Sequence, residues 1–262
     1  MAKKALIIGL ALILWMPFDH IVDAEDTDKV LTVYYFHRSP YYITQDDGNA
    51  TGFLVEITRM ILDHADISYV FVDFPPKRIL KNIKRTEYSC SIGWFKNVER
   101  ETFARFSDPI YQDMPTGIVL RHSSLSLLGK KPALRELMQS GLMLGVVDGF
   151  SYGARIDEAI AQLKPSIYAI SGESENLLKM IQSERIDYAF MVPEEFRYML
   201  KRDPLITSDL RLIEIADEIE GNNRYLMFSS GVGPEIIESI NESIRIVKQT
   251  DKYAGLIALE VP

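Results

Sequence analysis

Apolar strand-like runs alternate with helix-period segments along almost the whole chain, and this alternation constrains the fold more than any other feature. Residues 31–36 are rich in β-branched and aromatic types and read as a strand. Phe53, Ile57, Met60 and Ile61 then recur at helical spacing. A strand at 69–72 follows, then a helix carrying Ile79, Leu80 and Ile83 after Pro75 and Pro76, then strands at 89–92 and 116–120. Ser123 and Ser124 break the pattern, and it restarts. Helical faces at Leu134 and Leu137, at Ile156 and Ile160, and at Leu177 and Ile181 alternate with strands at 143–147, 166–170 and 188–192. Strand-like 212–215 and 225–228 precede a long helix that opens at Gly233-Pro234, where proline suits the first turn. Such alternation predicts α/β layers with helices on both faces of mainly parallel sheets. The restart near residue 120 marks a second α/β unit, and periodicity leaves open whether the last helices return to the first.

The 262 residues are 47% hydrophobic and 25% charged, enough for a sizeable core and no disordered chain. A net charge of −8 repels phosphate backbones and anionic headgroups, so nucleic acid is excluded as an expected partner. The start of the chain differs in character. Lys3 and Lys4 precede an apolar run at 5–15, then Pro17 and the small-residue stretch Val22-Asp23-Ala24. This three-part layout predicts a signal peptide over residues 1–24, cleaved after Ala24. The apolar run is about half of the roughly 20 residues a spanning helix needs. The lone Cys90 makes no internal disulfide, lies far from the cleavage region and is expected to be buried and inert. These features together predict an unlipidated protein of the periplasm.

Signals for catalysis are weak. The four histidines are His20, His37, His64 and His122, and no two have zinc-ligand spacing. There is no Gly-x-Ser-x-Gly elbow, and Gly231-Val232-Gly233 is too short for a phosphate loop. Glu173 and Glu194 are available as general bases, as spare glutamates are in any protein. Neither a metal, nor a cofactor, nor an enzyme activity is expected.

The run 99–111, from Glu99-Arg100 to Phe106-Ser107-Asp108-Pro109-Ile110-Tyr111, resembles the signature phrase of the bacterial extracellular solute-binding proteins of family 3, the polar amino-acid type. Pro40-Tyr41, the stretch 52–57, Gly145-Val146-Val147-Asp148-Gly149-Phe150-Ser151, Asp187-Tyr188-Ala189 and Asp251-Lys252-Tyr253 match further family segments in the expected order. The resemblance spans essentially the whole mature chain. It implies a two-lobed periplasmic-binding fold of the second topological type, with a mixed sheet flanked by helices in each lobe. Residues 25–118 and 222–262 would form lobe 1, and 119–221 lobe 2, joined by a two-crossing hinge. It implies a monomer that captures a small polar, carboxylate-bearing ligand between its lobes and serves an inner-membrane ABC permease.

By the same resemblance, Arg100 is the residue that grips a ligand carboxylate, a task its planar fork suits. Trp94 and Phe95 occupy the loop where the family presents hydroxyls, so Trp94 becomes either an apolar wall or plain core. Tyr41 or Tyr42 would cover one side. Phe150 and Ser151 lie on the second lobe's loop, with Ser151 at the family's hydroxyl position or at a helix N-cap. Arg78 is a further candidate on the first lobe. The family's acidic residue for the ligand ammonium falls on Val192, followed by Pro193 and Glu194, and a buried ammonium without a carboxylate is costly. Glu194 is the substitute candidate, and a ligand that is no standard α-amino acid is the alternative. Two other readings stand beside transport. One is an exported enzyme on this fold, as in cyclohexadienyl dehydratases, and the other is a ligand-sensing partner of a membrane receptor.

Overall fold

The run Leu-Thr-Val-Tyr-Tyr forms β1 (Leu31–Tyr35), almost wholly buried, as its β-branched and aromatic content predicts. A computed structural model describes residues 29–85, 87–217 and 220–258 of the chain. The signal peptide expected over 1–24, with its cleavage after Ala24, lies outside the described residues. After β1 come a short hairpin, β2 (Ile43–Thr44) and β3 (Ala50–Thr51), and then α1 (Phe53–His64). β4 (Tyr69–Asp73), α2 (Pro76–Ile83) and β5 (Ser89–Trp94) follow. A single-turn helix α3 (Val98–Glu101) and two short strands, β6 (Arg105–Phe106) and β7 (Tyr111–Gln112), complete the first pass.

The second unit opens with β8 (Gly117–Arg121), followed by α4 (Leu125–Leu128) and α5 (Leu134–Gln139). Then come β9 (Leu144–Val147), α6 (Ala154–Leu163), β10 (Ile167–Ile170), α7 (Glu175–Gln182) and β11 (Tyr188–Met191). Next are α8 (Pro193–Arg202), the single turn α9 (Pro204–Thr207) and β12 (Leu210–Glu214). β13 (Asn223–Phe228), α10 (Pro234–Val247) and α11 (Asp251–Ala258) end the described chain.

The strands make two mixed sheets. One runs β4-β1-β5-β13-β6, with β7 also paired to β13, and the other runs β10-β9-β11-β8-β12. In the first, β1 is parallel to β4 and β5, while β13 is antiparallel to β5. In the second, β9 is parallel to β10 and β11, and β8 is antiparallel to β11 and β12. Antiparallel pairing enters where β8, β12 and β13 border the crossings between sheets, whereas helical crossovers force the other strands to be parallel.

The last helices return to the first sheet. Ile237, Ile240 and Ile244 of α10 pack in one core with Leu54, Ile57 and Ile61 of α1. Each fully buried aliphatic side chain there contributes about 1.5–3 kcal/mol. Cys90 is fully buried, and burial pushes its thiol pKa far up, which keeps it protonated and unreactive. The chain crosses between sheets twice, at 113–116 after β7 and between β12 and β13. The crossings touch: Asp113 N–H donates to Asn222 O at 3.0 Å, and Gln112 Nε2 donates to Gly221 O at 3.2 Å. A Cβ on Gly221 would fall 1.4 Å from the Asp113 carbonyl oxygen, so only glycine fits that approach.

Candidate functional site

Between the sheets lies a nearly closed cavity with about 30 Å³ of free room, whose wall carries three arginines, Arg38, Arg100 and Arg224, among the aromatic rings of Phe36, Trp94, Phe95 and Phe150. Arg100 reaches it from α3. Asn97 caps that turn by accepting from the Arg100 backbone N–H at 2.8 Å, which sets the side chain's direction. Its Nη1 donates to Phe95 O at 2.7 Å, and its guanidinium lies 4.7 Å from the Trp94 ring. The side chain is buried, and among the described residues no carboxylate forms an ion pair with it. Burial pulls its pKa below the ordinary arginine value, with Asp157 and Glu99 acting in the opposite direction. A buried cation without an ion-pair partner is stabilised by an arriving anion.

Trp94, at the end of β5, is held by its Nε1–H, which donates to Ser91 Oγ at 2.7 Å; Ser91 Oγ in turn donates to Tyr34 O at 2.8 Å. It is therefore both core and wall. Arg224 enters from β13 and is almost fully buried. Its Nε donates to Asp113 Oδ1 at 2.6 Å and its Nη1 to Gly93 O at 3.1 Å, while Nη2 has no hydrogen-bond partner. The guanidinium sits between the Tyr41 ring at 4.1 Å and the Phe95 ring at 4.9 Å. Burial opposes its charge, but Asp113 with Tyr41 and Tyr42 more than offset this and hold it protonated.

Arg38 belongs to the loop after β1, and it crosses to the second sheet. Its Nε and Nη2 donate to the two oxygens of Glu195 at 2.7 and 2.8 Å, a forked pair spanning the cleft. Burial works against the Arg38 charge, and the Glu195 carboxylate outweighs it, raising the pKa above the ordinary value. Ser174 Oγ also donates to Glu195, at 3.2 Å. Two further contacts join the sheets: Phe36 and Phe150 rings at 5.5 Å, and Lys77 Nζ to Asp148 Oδ2 at 2.5 Å.

Of the residues expected from sequence, Arg100, Trp94, Phe95, Phe150 and Ser151 all line the cavity. The Ser151 hydroxyl donates to Asp157, whose other oxygen accepts from Tyr152 N–H at 2.9 Å. The N-cap of α6 is Gly153 and not Ser151. Three expected residues lie elsewhere. Tyr41 is fully buried behind Arg224, with its hydroxyl donating to Asp113 Oδ1 at 3.0 Å. Arg78 is exposed and stacks 3.8 Å from the Phe74 ring. Glu194 is buried at the crossings, accepting from Tyr111 Oη–H and Met114 N–H, both at 2.7 Å. Val192 is 4% exposed and packs in the first sheet's core. Sequence reasoning missed Arg38, Arg224 and Glu195. The one local signal was Pro193 opening a helix directly after a strand, which places two glutamates on a first turn. Among the described residues no cluster of three His, Cys, Asp or Glu could hold a metal, and no helix is long and apolar enough to cross a membrane.

Two mixed α/β sheets joined by paired crossings around a closed cleft define the two-lobed periplasmic-binding fold of the second type. The family model for bacterial extracellular solute-binding proteins, family 3, matches residues 32–258, and the chain belongs to that family. Its fold is similar to that of an ancestral arginine-binding protein bound to arginine, with a TM-score of 0.73, 16% identity, and 89% of this chain and 98% of that chain covered. An arginine-specific periplasmic binding protein of Salmonella typhimurium gives 0.68 at 16% identity over 89% and 99%. A histidine kinase sensor domain similar to periplasmic binding proteins gives 0.69 at 18% over 90% and 97%. No curated protein sequence matches the chain. At these identities the likeness is one of fold.

Proposed function

We propose that this solute-binding protein captures a small carboxylate-bearing ligand in the cleft and delivers it to an ABC-type permease. It works as a monomer outside the cytoplasmic membrane, where family 3 members act. Lobe 1 is taken as 25–118 with 222–262, and lobe 2 as 119–221. The observation that carries this reading is Arg100, a buried guanidinium on the cavity wall with no protein carboxylate paired to it. Arg224 supports it as a second guanidinium on the same wall, its Nη2 buried without a hydrogen-bond partner. Ligand contacts to both lobes would favour the closed arrangement by population shift. A ligand-sensing role for a membrane receptor is the second reading, favoured by the likeness to the sensor domain.

The test is a thermal-shift screen on protein stripped of bound solute by unfolding and refolding. The panel holds amino acids, small carboxylates, amines, short peptides and sugars. A ligand at about 1,000 times its Kd adds roughly 4 kcal/mol, a shift on the order of 10 °C for a chain of this size. A carboxylate-specific shift without turnover of the compound supports the reading. Shifts confined to sugars or amines would sink it.

A further inference from the structure

The Arg38–Glu195 pair narrows the ligand, given the reading of the cleft as a solute site. We infer that the cleft takes an amine-free monocarboxylate with a small apolar or single-ring body, because Arg38 already fills the place of a ligand cation opposite Glu195. A zwitterionic ligand needs an acceptor for its ammonium. Glu195 is the carboxylate that α8 turns toward the cleft, yet Arg38 engages both its oxygens and Ser174 adds a third hydrogen bond. Asp113 lies behind Arg224 and is held by it and by Tyr41. Asp157 is occupied at both oxygens by Ser151 and Tyr152, and Asp148 by Lys77.

Charge says the same. Three guanidiniums face the cavity, and two of them have carboxylate partners, Glu195 and Asp113. Arg100 is left without an ion-pair partner, with Asp157 and Glu99 acting on it only from a distance, so it is the guanidinium free to pair directly with a ligand carboxylate. An ammonium would meet no carboxylate among the residues lining this cavity and would lose its hydration. Aromatic faces do not rescue it, since Arg100 already lies over Trp94 and Arg38 over Phe150. Those rings are left to contact an apolar body. The closed cavity leaves only about 30 Å³ of free room, so the cleft parts to admit a ligand and the body it closes over is small.

The experiment compares matched ligands on stripped protein. Hydrocinnamate is set against L-phenylalanine, and isovalerate against L-valine, with phenethylamine as the amine alone. Readouts are calorimetry and the emission of Trp94. In parallel, solute released by denaturing natively purified protein is identified by mass spectrometry. The expected result is at least tenfold tighter binding of each responding acid than of its amino-acid counterpart, and a released solute lacking an amine. Arg38→Ala, which frees Glu195, should narrow or reverse that preference. Tighter binding of the amino acids, or an amine-bearing released solute, overturns the inference and leaves the solute-binding reading intact. Silence with every probe and no released solute removes the solute-binding reading itself, and the inference with it. If Arg38→Ala fails to fold, the released solute decides alone.

Discussion

Glu194 and Glu195 are consecutive residues on the first turn of α8, and their carboxylates serve opposite sides of the junction between the sheets. Glu194 turns to the crossings, where Tyr111 Oη–H and Met114 N–H donate to its Oε1. Glu195 turns to the cleft and takes the Arg38 fork. The first is buried without a cation partner among the described residues, and the second is buried with one. The helical rotation of about 100° per residue gives one turn both roles.

Glu194 makes the pH dependence of stability testable. Burial raises its pKa, the negative charge of Asp113 raises it further, and the Met114 and Tyr111 hydrogen bonds oppose this. A carboxyl with a raised folded-state pKa binds its proton more tightly folded than unfolded. Its contribution is therefore fully present below the ordinary glutamate value of 4.5 and is lost as pH rises through the raised folded value. Glu194→Gln should remove this slope. Urea unfolding from pH 4 to 8 should show wild type losing stability relative to the variant as pH rises across that window. A constant difference would mean Glu194 titrates normally.

The Arg38–Glu195 fork predicts a conformational change when it is broken. With Glu195→Ala, opening of the cleft lets water reach Arg38. The stability loss should then fall below the about 3–5 kcal/mol expected when one partner of a permanently buried pair is removed. The radius of gyration of the ligand-free protein in small-angle scattering should rise. An unchanged radius with a full loss of about 3–5 kcal/mol would mean that Phe36–Phe150 and Lys77–Asp148 lock the sheets by themselves.

Most of the scaffold was legible, and part of the site was not. Strands such as β1, β9 and β11 are buried on both faces, so their apolar runs stand out, and α1 and α10 show clear helical periods. Helix α8 did not stand out, because Glu194, Glu195, Arg197, Lys201 and Arg202 interrupt its apolar face. Arg100 was legible through its motif. Arg38 and Arg224 were not, because their partners lie 157 and 111 residues away in sequence. No local pattern distinguishes a solvated arginine from one that finds a buried carboxylate across the fold.

Arg100→Ala separates binding from folding. Its guanidinium is buried without an ion pair, so removing it relieves a desolvation cost while losing the Phe95 carbonyl bond. These effects oppose each other, and the ligand-free stability should stay within about 1 kcal/mol of wild type. Carboxylate affinity should fall by at least about 2 kcal/mol, some 30-fold, by calorimetry. Normal affinity would take the carboxylate role away from Arg100. A large loss of ligand-free stability would make it a structural residue.

Val192→Asp tests whether position 192 faces the cleft, as the acidic residue of amino-acid binders would. Val192 precedes α8, its carbonyl accepts from Phe196 N–H at 3.3 Å, and its side chain packs in the core with Tyr111 and Ile110. A carboxylate there would have apolar neighbours and no cation. The variant should lose about 3 kcal/mol or more in urea unfolding and gain no affinity for L-phenylalanine or L-valine. A variant as stable as wild type that binds those amino acids would place residue 192 in the cleft. The acidic role would then belong to this position, and not to Glu195 three residues further along α8.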